Sequence, residues 1–288
     1  MTTEKVLVVG LGEIGRALFD LLKEKGGFTV YGLDLDEAKM RATCQDSSEM
    51  PDKVDTMHIC LPCKDQTSFV ATVAGYTEKF KPNLVIINST VHPGTTKKAQ
   101  QSCTCLVAHS PVRGVHESPE HMKWEIKRYI KYVGGADEKA AEAACKHFEK
   151  MGLKVKKLKS CAETELAKLF ETTYRAWMIA CFQEMHRISR AFEVEFDDAV
   201  DFLDDTHRIR LDRPIMFPDV IGGHCLIPNT ELLLTCYDSD FLRLLLESNG
   251  KRKTEIRDQN VSEEVEKVKR RAEALQKALM KNWKPPES

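Results

Sequence analysis

One segment near the start of the chain limits the possible folds more than any other. Residues 6–9 form a short apolar run that reads as a buried strand, and the sequence Gly-Leu-Gly-Glu-Ile-Gly follows directly at 10–15. Apolar side chains then recur at helical spacing from Ile14 to Leu22. A strand, a glycine-rich turn and a helix in this order are typical of the first unit of a doubly wound parallel sheet.

The three glycines and a later aspartate each suit a dinucleotide. Gly10 permits a tight turn, Gly12 lets backbone amides approach a pyrophosphate, and Gly15 lets helix and strand pack closely. The helix N-terminus also favours an anion. Asp34 lies 19 residues past Gly15, where a carboxylate binds ribose hydroxyls and repels a 2′-phosphate. The segment predicts an NAD site, with FAD and a glycine turn without nucleotide as alternatives.

The rest of the first half continues the alternation of strands and helices. We predict strands at 6–9, 28–33, 56–61, 84–87, 106–108, 129–133 and 153–158, and a helix at 137–151. This pattern indicates a parallel sheet with crossover helices. Lysines at 154, 156, 157 and 159 suit an edge strand that resists further pairing, with a nucleic-acid patch as the alternative.

The second half is helical in pattern. We predict helices at 160–192, 196–203 and 230–247, with a loop over 208–229. A heptad seam of apolar residues from Val261 to Leu279 either forms a dimer or packs on its own domain, and packing is favoured because so short a seam is marginal alone. The predicted domains are a Rossmann-type α/β domain at 1–159, an all-helical domain at 160–250, and a charged amphipathic helix at 251–288.

Composition excludes several classes of protein. The 43 basic and 44 acidic residues give a net charge of −1, so no global field recruits nucleic acid or a membrane. The chain has neither a run of 18 apolar residues nor a signal peptide, which indicates a cytoplasmic protein with reduced thiols. The pairs Cys60/Cys63 and Cys103/Cys105 lack converging ligands, so we expect small thiols rather than a metal site.

Five motifs, in order over residues 5–235, resemble the UDP-glucose/GDP-mannose dehydrogenase family. The Gly-Gly-His-Cys sequence at 222–225 is the most specific of them. The motifs are the glycine turn at 9–15, Asn-Ser-Thr-Val-His-Pro-Gly-Thr-Thr at 88–96, Ser-Pro at 110–111, the helix pattern at 162–184, and the loop at 222–226.

The resemblance implies an NAD-dependent, four-electron oxidation of a primary alcohol on a sugar-like substrate. Cys225 would capture the aldehyde as a thiohemiacetal, and Lys168 would stabilise the oxyanion. The resemblance also implies helices like those of the 6-phosphogluconate dehydrogenase C-terminal domain, and a homodimer through helix 160–192. The implied site residues are Cys225, Lys168, Thr172 and Asn229 for catalysis; Gly10, Gly12, Glu13, Ile14, Gly15, Asp34, Leu61, Pro62, Ser89 and Thr90 for NAD; and Arg113, His116, Gly222, Gly223 and His224 for substrate.

Four positions depart from the family pattern. Val112 replaces a glutamate, Thr172 an asparagine, Asn229 an aspartate and Ile227 a proline. The helical tail is expected to stand in place of the family's C-terminal nucleotide-sugar domain. Two alternatives therefore stay open: a single-step dehydrogenase of the β-hydroxyacid and 6-phosphogluconate group, and an NAD-binding regulatory or scaffold protein without catalysis. Retention of Lys168 and Cys225 favours an enzyme.

Overall fold

The computed structural model describes residues 3–41, 43, 50–114 and 118–281. The chain divides into two compact units, Met1–Leu169 and Phe170–Ser288. The division falls inside the long helix α7 (Cys161–Ala191). The domain limits placed at 159 and 250 stay a prediction.

The first unit is built on a seven-stranded sheet. The strands are β1 (Glu4–Val9), β2 (Phe28–Leu33), β3 (Thr56–Ile59), β4 (Leu84–Ile87), β5 (Leu106–His109), β6 (Lys131–Gly135) and β7 (Val155–Lys157). Their order in the sheet is β2-β1-β3-β4-β5-β6-β7, and neighbouring strands are parallel except β5 and β6, which pair antiparallel. The helix Pro119–Arg128, which precedes β6, packs on the helix Glu13–Lys25, so the chain re-enters the sheet without the crossover that a parallel pair needs.

Helices cover both faces of this sheet. Val6 and Val8 pack into one apolar cluster and Leu7 and Val9 into another, so β1 is buried on both sides. The predicted Rossmann-type sheet is therefore confirmed. The helices of this unit are α1 (Glu13–Lys25), α2 (Glu37–Arg41), α3 (Gln66–Phe80), α4 (Thr95–Ser102), α5 (Pro119–Arg128) and α6 (Glu138–Lys150).

The strand order locates the expected ligand edge. From β1 the chain runs to β2 on one side, and β3 then pairs with β1 on the other side. The sheet order reverses at this point, and ligands of such sheets bind in the crevice outside the carboxyl ends of the strands. Gly10, Asp34, Leu61 and Ser89 follow β1, β2, β3 and β4, four neighbouring strands of the sheet.

The described part of the second unit is helical, as predicted, but its internal limits differ. The helix expected at 230–247 is wrong: two helices occupy this region, because the Ser239 side chain accepts from Leu242 N (3.4 Å) and starts a new helix. The loop expected at 208–229 is shorter, since Pro228 is tolerated in a first helical turn. After α7 the helices are α8 (Phe196–Arg210), α9 (Leu226–Cys236), α10 (Asp240–Glu255) and α11 (Gln259–Lys281).

The heptad seam of α11 packs on its own unit. Val268 and Leu275 are buried in a cluster with Phe196 and Val200 of α8. Arg271 adds two hydrogen bonds of 2.8 Å to the Asp197 carboxylate. Of the two possibilities left open by the sequence, the structure shows packing within the protein. No helix in the described ranges is long and apolar enough to span a membrane.

Candidate functional site

The glycine turn has the geometry that a dinucleotide requires. Gly10 has φ +88°, and a Cβ there would lie 2.6 Å from the Cys60 carbonyl oxygen. A Cβ on Gly15 would lie 1.7 Å from the Gly10 carbonyl oxygen, so both positions demand glycine. A Cβ on Gly12 would meet no described atom within 4 Å, and this space is open to an approaching pyrophosphate at the start of α1.

Asp34 lies beside this turn. Its Oδ2 accepts a hydrogen bond from Leu11 N (2.6 Å), and its Oδ1 accepts one from Asp36 N (2.9 Å). Lys39 Nζ approaches Oδ2 to 4.0 Å and partly balances the carboxylate charge. Each carboxylate oxygen retains a lone pair for a ribose hydroxyl. The residues present therefore fit an NAD molecule laid across the ends of β1 and β2.

The other predicted cofactor residues extend this edge. Glu13 and Ile14 form the first turn of α1, and Leu61 and Pro62 follow β3. Ser89 and Thr90 follow β4, where Ser89 Oγ donates to the Ile59 carbonyl oxygen (3.3 Å) and ties the ends of the two strands together. All ten predicted positions thus belong to the carboxyl ends of four neighbouring strands or to the first turn of α1.

A buried glutamate that the sequence analysis did not single out holds the next loop. Glu165 of α7 accepts from Gly94 N (2.7 Å), Thr96 N (2.8 Å) and Thr96 Oγ1 (2.6 Å), at the N-terminus of α4. Burial raises the pKa of this carboxyl, although the three hydrogen bonds oppose that rise. A signal was present in the sequence, because Cys161, Glu165 and Leu169 are spaced as one buried face of the helix.

A second unpredicted residue, Lys131, fixes the loop that follows β5. Its Nζ donates to the carbonyl oxygens of Ser110 (2.8 Å) and Pro111 (3.1 Å), and its side chain is buried. Burial and the neighbouring positive charges of Arg113 and Lys168 lower the pKa of Lys131 to about 7. Three basic groups of the first unit therefore lie near one another beside the Ser-Pro motif.

The predicted substrate residues near this motif have different surroundings. Arg113 donates to the Ile130 carbonyl oxygen (3.0 Å) and lies over the Tyr129 ring at 4.7 Å. Val112, in the position of the family's glutamate, is buried in the apolar core and offers no group for chemistry. His116 lies outside the described residues.

Cys225 occupies the N-terminus of a helix in the second unit. It is the N-cap residue of α9, and its Sγ lies 3.1 Å from Nδ1 of His224. Gly223 has φ +77°, which favours glycine, and neither Gly222 nor Gly223 has a described atom closer than 3.9 Å to a built Cβ. The thiol therefore follows a glycine pair with open space beside it and lies next to an imidazole, at a helix N-terminus.

Two of the substituted family positions contact each other. Asn229 lies one turn after Cys225 in α9, and its Nδ2 donates to Thr172 Oγ1 across 3.3 Å. Both side chains are buried. The structure thus brings Cys225, Asn229 and Thr172 into one region of the second unit. Lys168 is half-buried in α7 and belongs to the first unit.

The two cysteine pairs differ in what their surroundings do to the thiol pKa. Burial raises the pKa of Cys60 to about 12 and that of Cys63 to about 11. The hydrogen bond from Cys105 lowers the pKa of Cys103 to about 7, and it raises that of Cys105. Within the described ranges, no three His, Cys, Asp or Glu side chains are arranged to hold a metal ion.

Comparison with protein families gives two matches that together span most of the chain. Residues 5–159 match the NAD binding domain of 6-phosphogluconate dehydrogenase. Residues 162–249 match the central domain of the UDP-glucose/GDP-mannose dehydrogenase family. The NAD cofactor expected from the glycine turn is confirmed by the first match.

Two archaeal proteins with similar sequences have the same enzyme name. A UDP-N-acetyl-D-mannosamine dehydrogenase of Methanocaldococcus jannaschii is 28% identical over 261 residues, which are 77% of this chain and 60% of that protein. One from Pyrococcus horikoshii is 30% identical over 55% of this chain and 39% of its own length. The chain thus spans 60% or less of these two relatives.

Solved structures share the fold. A UDP-D-ManNAc dehydrogenase from Pyrococcus horikoshii superposes with a TM-score of 0.72 at 23% identity, covering 86% of this chain and 68% of that one. A 3-hydroxyisobutyrate dehydrogenase from Mycobacterium tuberculosis has a TM-score of 0.66 at 16% identity, covering 89% and 95%. The two folds pair a Rossmann-type domain with helices, as predicted here.

Proposed function

Because this chain belongs to the UDP-glucose/GDP-mannose dehydrogenase family, we propose that it is an NAD-dependent dehydrogenase that oxidises a primary alcohol of a sugar or sugar-like molecule. The observation that carries this proposal is the position of Cys225 at the N-terminus of α9, 3.1 Å from His224 Nδ1. A helix N-terminus and an adjacent imidazole both favour a thiolate, the nucleophilic form of cysteine. A residue that served only packing would need neither neighbour.

The proposed chemistry proceeds in two oxidations. NAD, when bound, would supply the acceptor for the hydride that leaves the substrate carbon in each oxidation. In the first oxidation the hydroxyl proton passes to solvent and an aldehyde results. The Cys225 thiolate then adds to the aldehyde carbon, and a C–S bond forms as the carbonyl oxygen becomes an alkoxide. In the second oxidation the remaining hydrogen of that carbon would leave as a hydride, and the alkoxide becomes the carbonyl of a thioester on Cys225. Water attacks this carbonyl carbon, the C–S bond breaks, two protons pass to solvent, and the carboxylate product leaves the regenerated thiolate.

Lys168 is proposed to stabilise the oxygen that gains negative charge in these steps. Its half-buried position and the neighbouring basic groups Lys131 and Arg113 give this part of the first unit a positive potential. A positive donor aimed at a developing oxyanion is worth on the order of a hundredfold in rate. Arg113 suits an anionic part of the substrate, because its guanidinium binds phosphate and carboxylate in a planar arrangement.

One observation favours a second candidate, a dehydrogenase that performs a single two-electron oxidation. The buried pair Thr172–Asn229 is uncharged, and Val112 is apolar, so neither position offers a carboxylate to activate water against a thioester. A single oxidation needs no such base. Under this candidate Lys168 would hold the alcohol oxygen, and Cys225 would contact the substrate without forming a covalent bond.

The proposal includes a homodimer through α7. Phe170, Tyr174 and Ile188 are more than half exposed, and together with Cys181 they follow one face of the helix at spacings of three to four residues and their multiples. Exposed aromatic and aliphatic side chains on one helix face are typical of an interface. A cytoplasmic location is also proposed, since Cys225 must remain a free thiol to act.

The test is the number of NADH molecules formed per substrate molecule. UDP-N-acetyl-D-mannosamine is the first substrate to offer, followed by other nucleotide sugars and simple hydroxyacids. Two NADH per substrate support the cysteine mechanism, and one NADH supports the single oxidation. NAD binding without turnover of any substrate would contradict both and support a regulatory or scaffold protein.

A further inference from the structure

A cavity of about 770 Å³ opens at the edge of the sheet opposite the cofactor edge. It lies at the amino ends of β1, β3 and β4, and one face of α6 closes it. This volume is in the range of small-molecule sites. Since the strands are parallel, the cavity is separated from the glycine turn by the length of β1. A ligand here would not occupy the NAD site.

Positive charge dominates the lining of this cavity. Lys5, Lys53 and Lys146 line it, and none of the three forms an ion pair with another described residue. Lys150 also lines it, and its Nζ donates to Glu4 Oε2 (2.8 Å). Several lysines that line one cavity attract an anion with more than one negative charge.

The two acidic side chains in the lining are already engaged by the protein. The Glu4 carboxylate accepts hydrogen bonds from Lys150 and His147, and burial alone would raise its pKa, but these bonds lower it to about 2. Asp55 accepts from Lys5 N (2.8 Å) and from Asn83 Nδ2 (3.3 Å). Both carboxylates keep their negative charge, so Glu4 and Asp55 offset two of the four lysines in the lining. Four lysines against two carboxylates still leave an excess of two positive charges in the described lining.

A buried histidine in the cavity wall is held by two neighbouring side chains. His147 Nε2 lies 2.9 Å from His58 Nε2, and His147 Nδ1 lies 2.8 Å from Glu4 Oε1. His58 Nδ1 in turn lies 2.8 Å from Asn88 Oδ1, whose Nδ2 donates to the Ser110 carbonyl oxygen (2.8 Å). Both ring nitrogens of His147 are thus occupied within the protein, and this chain of contacts fixes the wall that α6 contributes.

We propose that this cavity binds a small phosphorylated molecule through Lys53 and Lys146, with Lys5 and the charged wall of α6 as further contacts. A phosphate or diphosphate group supplies the several acceptor oxygens and the charge that match this lining. Thr3, Thr56 and Asn83 add polar side chains to the lining, and Leu84 and Ala143 add apolar area for the rest of such a molecule.

The experiment is isothermal titration of the full chain with inorganic pyrophosphate, and separately with inorganic phosphate, at 0.15 M salt and with NAD at saturation. Saturating NAD occupies the glycine turn, so the titration reports only other sites. We expect binding of at least one of the two anions, with an affinity that falls about tenfold or more in Lys53→Glu/Lys146→Glu. Tighter binding of pyrophosphate would indicate a diphosphate ligand, and equal binding a phosphate monoester.

Lys139→Glu is the matched control, because Lys139 lies on the same helix as Lys146, is exposed and does not line the cavity. It makes the same charge change per site and should leave the affinity unchanged. An equal loss in this control would show nonspecific attraction and overturn the proposal. Absence of binding with NAD present, or binding of a duplex oligonucleotide but of neither anion, would overturn it too. None of these outcomes depends on dehydrogenase activity.

Discussion

Asn229 donates from Nδ2 to Thr172 Oγ1 across 3.3 Å, both side chains are buried, and Asn229 lies one helical turn after Cys225. Two of the three positions at which this chain departs from polar residues of the family pattern are thus partners of each other. A neutral amide and a hydroxyl satisfy one another without a charge. The pair therefore holds α7 and α9 together locally and supplies no carboxylate to the chemistry.

Replacement of Asn229 by Asp tests that reading. The new carboxylate would accept from the Thr172 hydroxyl and stand one turn after Cys225. We expect the second oxidation, measured as NADH per substrate, to rise toward two if wild type stops at one. Asn229→Ala, which has no carboxylate, should not raise the ratio. An equal ratio in all three proteins would show that this position does not control water attack.

Two glycines of the turn are expected to serve different purposes: Gly15 is needed for folding and Gly12 for NAD binding. Gly15→Ala places a Cβ 1.7 Å from the Gly10 carbonyl oxygen, so we expect loss of stability of several kcal/mol or failure to fold. Gly12→Ala meets no described atom within 4 Å, so the protein should keep its melting temperature within a few degrees and lose NAD affinity by tenfold or more. Thermal unfolding and NAD titration measure the two effects. Unchanged NAD affinity in Gly12→Ala would contradict the placement of the pyrophosphate.

We expect the hydrogen bonds of Glu165 to stabilise the loop before α4. Glu165→Ala removes acceptors from Gly94 N, Thr96 N and Thr96 Oγ1 and leaves buried donors unpaired, which should cost about 2 to 4 kcal/mol of unfolding free energy. Glu165→Gln keeps one acceptor oxygen and should cost less. Glu163→Gln, at an exposed site two residues earlier, is the control. Chemical denaturation measures the free energy of unfolding of each variant. Equal values for all variants would show that Glu165 does not stabilise this loop.

The lowered pKa of Lys131 makes the free energy of unfolding depend on pH, in a direction that can be stated in advance. Its pKa is about 7 in the folded protein and its ordinary value is 10.5, so between these pH values the unfolded chain binds more protons. Stability contributed through Lys131 should therefore rise with pH from about 7 to 10.5, by up to about 1.4 kcal/mol per pH unit.

The measurement compares wild type with Lys131→Met across this pH window. The difference in unfolding free energy should shift in favour of wild type as the pH rises, and it should be flat below about pH 6. A difference that does not change with pH would show that the buried amine keeps its ordinary pKa.

The sequence predicted the sheet, the glycine turn and Asp34 because local patterns determine them. Alternation of apolar residues and the spacing from Gly15 to Asp34 require no knowledge of distant parts of the chain. The break between α9 and α10 was missed because Ser239 is a cap only when the preceding residues leave the helix. Polar side chains near Ser239 are equally compatible with one exposed helix face.

The buried polar residues could not be predicted for a different reason. His58 and His147 are 89 positions apart, and only the sheet and α6 bring their rings to 2.9 Å. Lys131 sits in a strand whose neighbours in sequence give no sign of the two carbonyl oxygens it contacts. Contacts between residues so far apart in sequence cannot be predicted from a local pattern. The burial of Glu165 could have been predicted, because Glu165 shares one helix face with Cys161 and Leu169.

The most direct test of the account is the turnover of Cys225→Ser beside Cys236→Ser. The two cysteines lie at opposite ends of α9, and Cys236 is exposed, so the second variant controls for loss of a thiol from the same helix. With a nucleotide sugar that wild type oxidises, Cys236→Ser should match wild type in NADH per substrate. Cys225→Ser should bind NAD normally and form at most one NADH per substrate. Two NADH per substrate from Cys225→Ser would contradict the role of this sulfur.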